Sequence, residues 1–178
     1  MITLYHGTIH DFDAIDVGRG RLFKDFGRGF YATEDHNHAI GIARRNQGIE
    51  FEREALIKRK SDILMFVYTY TFDVAGFHKL NVKQFPNPGA EWVDFVVRNR
   101  SERSYRHSYD LIIGATANDD TRITIQQYLL GAYGDVGTDE AINGFLRQIK
   151  AEKLPMQWLF ATKRAVEFLR LKDKRKIL

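Results

Sequence analysis

Side chains able to do chemistry concentrate at the start of this chain and in one glycine-rich stretch. Lys24-Asp25-Phe26-Gly27-Arg28-Gly29-Phe30-Tyr31-Ala32-Thr33 sets two glycines one residue apart. That spacing admits a tight backbone path and lets a ligand come close to the main chain. Gly29 and Phe30 lead into Tyr31, whose ring offers a face for stacking or a piece of core. Arg28 is either a phosphate ligand or a solvated loop arginine. His6-Gly7-Thr8 closes the first apolar–polar alternation, and His6 taken alone reads as readily as a strand-end histidine bonded to backbone. Asn118 and Asp119 follow a buried strand, where loops often line sites; capping is their simpler role.

Several chemistries lack their residues. The six histidines include the pairs His36/His38 and His6/His10, and neither has an accompanying Glu-x-x-His spacing, so no metal site is expected. With no cysteine, thiolate ligands and disulfides are impossible. There is no Gly-x-Ser-x-Gly elbow. Gly27-Arg28-Gly29 lacks the Lys-Ser/Thr of a phosphate-binding P-loop and the third glycine of a dinucleotide fingerprint, and it precedes a strand instead of following one.

These residues need a scaffold, and the composition supplies one. A hydrophobic fraction of 44% is enough for a single core in a domain spanning 1–178, with the tail from about 172 to 178 expected to fray. No signal peptide or membrane-length apolar run is visible, so a cytoplasmic protein without membrane contact is expected. The net charge of +4 gathers at Lys58-Arg59-Lys60 and Lys172 to Lys176 and reads as solvated surface; a basic nucleic-acid binder is the weakest alternative.

Alternation predicts a strand over 2–6 and a central strand over 62–73, with a short edge at 77–81. Buried strands follow at 110–115 and 156–161. Helical spacing covers 33–47, capped by Thr33, then 90–100, a helix begun by Asp120 or Thr121, and another begun by Thr138. Residues 50–60 suit an exposed helix or flap, and Thr162 is expected to cap a final helix carrying Ala165, Val166 and Leu169. Strands and helices mix without strict βαβ alternation, which predicts an α+β fold.

One combination runs through the whole chain. His6-Gly7-Thr8 ends the first strand, Gly27-Arg28-Gly29-Phe30-Tyr31 opens a strand before a helix, and Gln157 sits in the last strand before the C-terminal helix. This order resembles the diphtheria-toxin and poly-ADP-ribose-polymerase branch of the ADP-ribosyltransferases, which uses a histidine, a tyrosine and an acidic residue, usually glutamate. The Asp110 to Asp120 segment and Gln157-Trp158-Leu159-Phe160 resemble an uncharacterised group of bacterial proteins associated with toxin–antitoxin pairs.

The resemblance implies two short antiparallel sheets around a cleft that holds NAD as co-substrate, with flanking helices. It implies that His6 bonds the adenosine ribose, that the Gly7 backbone and Thr8 hydroxyl hold the carboxamide, and that Tyr31 stacks on the nicotinamide. A tyrosine face attracts the cationic pyridinium by about 0.5–2 kcal/mol. Gln157 stands where the family puts the group that orients the ribose against developing oxocarbenium charge. The sequence departs there: an amide bonds a hydroxyl without charge, a deficit of about 1–1.5 kcal/mol, or roughly tenfold in rate. The family's second stacking aromatic is replaced by Ile42. The implied function is mono-ADP-ribosyl transfer to a protein or nucleic acid by a toxin neutralised by an antitoxin. NAD glycohydrolysis and a catalytically silent binding module are the alternatives.

Overall fold

The structure, a computed structural model, describes residues 1–54, 57, 59–117, 121–150 and 153–178. Alternation organises its first sheet. In β1 (Ile2–Thr8), Leu4 is buried and His6 shares its face, while Tyr5 and Gly7 take the other. β3 (Met65–Phe72) is buried on both faces at its start and lies between β1 and β7 (Leu169–Ile177), antiparallel to each. α1 (His36–Glu54) lies against β1 and β3. It comes so close at Gly7 that a Cβ there would lie 1.8 Å from the Ala39 carbonyl oxygen.

The second sheet has the order β2 (Phe30–Ala32), β6 (Met156–Phe160), β5 (Leu111–Ala115), β4 (Val82–Gln84). Trp158 and Phe160 of β6 and Phe30 of β2 pack with Leu4, Tyr68 and Phe72 of the first sheet. The opposite face carries Leu159 and Ile112 against α3 (Ala90–Ser101), α4 (Thr121–Leu129) and α5 (Asp139–Gln148). The layers are therefore sheet, aromatic core, sheet, second core, helices. The two sheets join where Tyr5 and Thr33 exchange backbone hydrogen bonds of 2.7 and 2.9 Å.

The α+β class stands, with five corrections. The second sheet is mixed, because β4 runs parallel to β5. The expected edge at 77–81 is the helical turn α2 (Gly76–Lys79), and the edge strand is β4. Asp35 caps α1 by accepting the Asn37 and His38 N–H groups, while the Thr33 hydroxyl donates to the Met156 carbonyl and ties β2 to β6. The C-terminal helix is one turn, α6 (Lys163–Val166), and the tail expected to fray is β7, paired with β3 from Met65 to Phe72. Charged outward residues disguise β7; Leu169 is its one fully buried position. Residues 55, 56 and 58 of the expected flap and the caps at 118–120 lie outside the described residues. Among the described residues no helix is long and apolar enough to cross a membrane.

Candidate functional site

The Tyr5–Thr33 bridge aligns β1 with β2 and so brings His6 to Tyr31. The His6 imidazole donates from Nδ1 to the Tyr31 carbonyl at 2.6 Å. Its ring sits among Phe30, Phe12 and Tyr68, with centroids 4.4, 5.8 and 6.4 Å away. Burial there pushes its pKa down to about 4, outweighing the bond to Tyr31, and His10 adds a smaller push in the same direction. At neutral pH the ring is uncharged, and a proton on Nδ1 leaves Nε2 as an acceptor.

Gly7 follows on the same strand edge. Tyr5 turns its backbone N–H and C=O outward to Thr33, so the period of two turns those of Gly7 outward as well, on a strand whose only sheet neighbour is β3. Among the described residues neither group has a backbone partner beyond the sheet. The Thr8 hydroxyl accepts the His10 N–H at 3.1 Å and keeps its own proton to give.

Tyr31 is fixed at both ends. Its hydroxyl donates to the Gly27 carbonyl at 2.7 Å and accepts the Phe26 N–H at 3.1 Å. Gly27 makes that turn with φ of +91°, a conformation a side chain would strain. Burial, reinforced by the nearby Asp25 carboxylate, raises the Tyr31 phenol well above its ordinary pKa, so it stays protonated. Gly29 lets β2 meet β6: a Cβ there would lie 2.5 Å from the Phe160 carbonyl oxygen. Phe30 is core, and Arg28 is exposed.

Beneath the loop, Asp25 is buried and saturated with donors. Arg100 from α3 donates Nε to Oδ1 at 2.7 Å and Nη2 adds an ion pair. The Ala117 N–H and the Gln157 amide each donate to Oδ2 at 2.7 Å, and the Thr116 hydroxyl lies at 3.4 Å. Gln157 therefore spends its nitrogen on Asp25, which fixes the amide and leaves Oε1 as its acceptor. Asp25 lies in the glycine-loop stretch but had no sequence signal as a partner of Gln157, and nothing distinguished Arg100 from its neighbours Arg98 and Arg103.

Contacts thus run from His6 to Tyr31, through Phe26 and Gly27 to Asp25, and on to Gln157. They do not share one face. His6 projects between the sheets, whereas Tyr31 and Gln157 belong to the opposite face of β2 and β6, and aromatic core fills the interval between the sheets. A cavity of about 380 Å³ beside the loop is lined by Gly27 and Arg28, and not by His6, Tyr31 or Gln157. Asn118 lies outside the described residues. Among the described residues no three histidine or acidic side chains gather as a metal site would require.

Fold and site together define a two-sheet α+β domain with a glycine loop at the junction of its sheets. The chain belongs to a family described as a protein of unknown function (DUF3990), whose model matches residues 2–171. No curated protein and no solved structure matches it.

Proposed function

We propose that the chain is a NAD-dependent mono-ADP-ribosyltransferase, the toxin of a bacterial toxin–antitoxin pair that acts in the cytoplasm. The observation that carries this reading is the hydrogen bond from His6 Nδ1 to the Tyr31 carbonyl. It joins the two residues that the resemblance assigns to opposite ends of one dinucleotide, and it leaves Nε2 to accept a ribose hydroxyl. The outward-facing backbone of Gly7 suits a carboxamide, which needs one donor and one acceptor. The Tyr31 ring, held by its hydroxyl, suits the flat cationic pyridinium.

In the reaction the C–N bond between ribose and nicotinamide breaks, nicotinamide leaves with the bonding pair, and an acceptor nucleophile forms the new bond to the same carbon as it loses a proton. Gln157 Oε1 orients the ribose through a hydroxyl, and Asp25 keeps that amide from flipping. Incubating the protein with labelled NAD and bacterial lysate is expected to release nicotinamide and label a macromolecule, and His6→Ala or Tyr31→Ala to abolish both. NAD left intact by the purified protein and by the lysate rejects the proposal.

One observation favours a second reading. Asp25, the carboxylate that holds the Gln157 amide, is already paired with Arg100, so among the described residues no unpaired carboxylate bonds the amide to activate an acceptor. A module that binds NAD or its partner without turnover fits that pairing. Calorimetry showing NAD binding without nicotinamide release selects it, while free ADP-ribose without a labelled macromolecule selects a glycohydrolase.

A further inference from the structure

The cavity beside the glycine loop has a composition that the NAD reading does not use. Arg28 and Arg103 line it, and among the described residues neither meets a carboxylate. Arg106 joins them, and one of its amino groups caps the Arg103 and Tyr105 carbonyls at 2.9 and 2.6 Å. Glu102, the one carboxylate in the lining, is taken by Arg98 at 3.3 Å. Three guanidinium groups thus border one hollow, and among the described residues no carboxylate meets them.

The apolar part of the lining is equally unusual. Phe23 is 48% exposed, and its backbone holds φ at +60°, a conformation a bulky residue rarely adopts. The fold thereby spends backbone strain to leave an aromatic ring in solvent beside arginines. His107 donates Nε2–H to the Phe26 carbonyl at 2.9 Å, and its Nδ1 is buried without a partner. The ring forms part of the cavity floor, and its Nδ1 is closed off from solvent.

We propose that this cavity binds single-stranded nucleic acid, with Arg28, Arg103 and Arg106 on phosphates and Phe23 stacked on a base. An acidic protein would satisfy the arginines but leave the exposed ring unused. The volume, about 380 Å³, lies within the range of ligand clefts. Gly27 and Arg28 belong both to this lining and to the loop that holds Tyr31, so a strand bound here lies beside the proposed NAD site. Its role as the ADP-ribose acceptor rests on the function proposed above; its binding does not.

The test is fluorescence anisotropy of labelled ten-nucleotide DNA and RNA strands with the full chain, without NAD, from about 50 to 200 mM salt. Three phosphate contacts give a log–log salt slope of about −2, hence roughly a 20-fold loss of affinity over that range. R103E/R106E is expected to cut the slope to about −0.7, leaving one contact. F23A is expected to weaken binding about tenfold without altering the slope. K172E/K176E makes the same charge change on β7 and is expected to leave binding within about twofold, since that strand lies outside the cavity. Absence of strand binding, equal losses from the two charge swaps, or displacement of the strand by an oligoglutamate of equal charge overturns the inference. Nicotinamide release is read on the same preparation. Release without strand binding overturns this inference alone, and strand binding without release overturns the proposed transfer alone.

Discussion

Two polar centres border the glycine loop, and the fold treats them in opposite ways. His6 is enclosed by rings and has one hydrogen bond, to Tyr31, so its environment suppresses charge. Asp25 is enclosed by donors from three segments of the chain, and an arginine compensates its charge. The first solution costs little while the group stays neutral. The second is strong only while every partner is present, because a buried ion left alone is expensive. The first leaves an atom available to a ligand; the second consumes its own chemistry to hold Gln157 and the loop in place.

The sharpest way to break this contrast is to remove one half of the Asp25–Arg100 pair. D25A or R100A is expected to cost about 3–5 kcal/mol, a fall of roughly 10 °C in melting temperature for a domain of this size. D25N/R100M removes both charges and is expected to cost clearly less than the sum of the singles, because neither charge is then stranded. Denaturant melts measure both. Singles costing under about 1 kcal/mol would make the pair behave as a solvated one and dissolve the comparison.

His6 gives the next effect. Its pKa lies below the unfolded value of 6.5, at about 4, so the unfolded chain takes up a proton that the fold refuses. The stability tied to the neutral ring is complete above pH 6.5 and is lost as pH falls toward 4. At most it amounts to roughly 3 kcal/mol. Melts of the wild type and H6F across that window isolate it, because carboxylates elsewhere titrate in both. H6F is expected to flatten the difference, and parallel curves for the two proteins would mean that water reaches the imidazole.

The two centres also differ in how legible they are from sequence. His6, Gly7 and Tyr31 can be read because their setting is local: a strand of alternating residues, then a glycine turn beside a strand. The Asp25 network cannot, because its partners Arg100, Ala117 and Gln157 are brought in by three separate elements. The fold divides along the same line. β3, β5 and β6 announce themselves by apolar runs, whereas β7 is exposed on nearly every residue and is held mainly by pairing with β3, so its charges resemble a solvated tail. Likewise α1 crosses β1 so closely at Gly7 that no side chain fits, a tertiary fact that makes the same glycine structural and, on the proposed reading, a ligand contact.

Tyr31 lies between the centres and lets them be separated. Its carbonyl serves His6, through backbone that no side-chain change removes, while its hydroxyl serves Phe26 and Gly27 next to Asp25. Y31F keeps the ring and the carbonyl but strands one buried N–H and one C=O, at a cost of about 1–3 kcal/mol. Stacking on nicotinamide needs the ring and not the hydroxyl. Nicotinamide release by Y31F at a temperature where it remains folded is therefore expected within about tenfold of wild type, whereas Y31A abolishes it. Equal loss in both variants would assign the tyrosine to holding the loop rather than to meeting the ligand, and would leave the contacts argued for the dinucleotide to His6, Gly7 and Thr8 of β1.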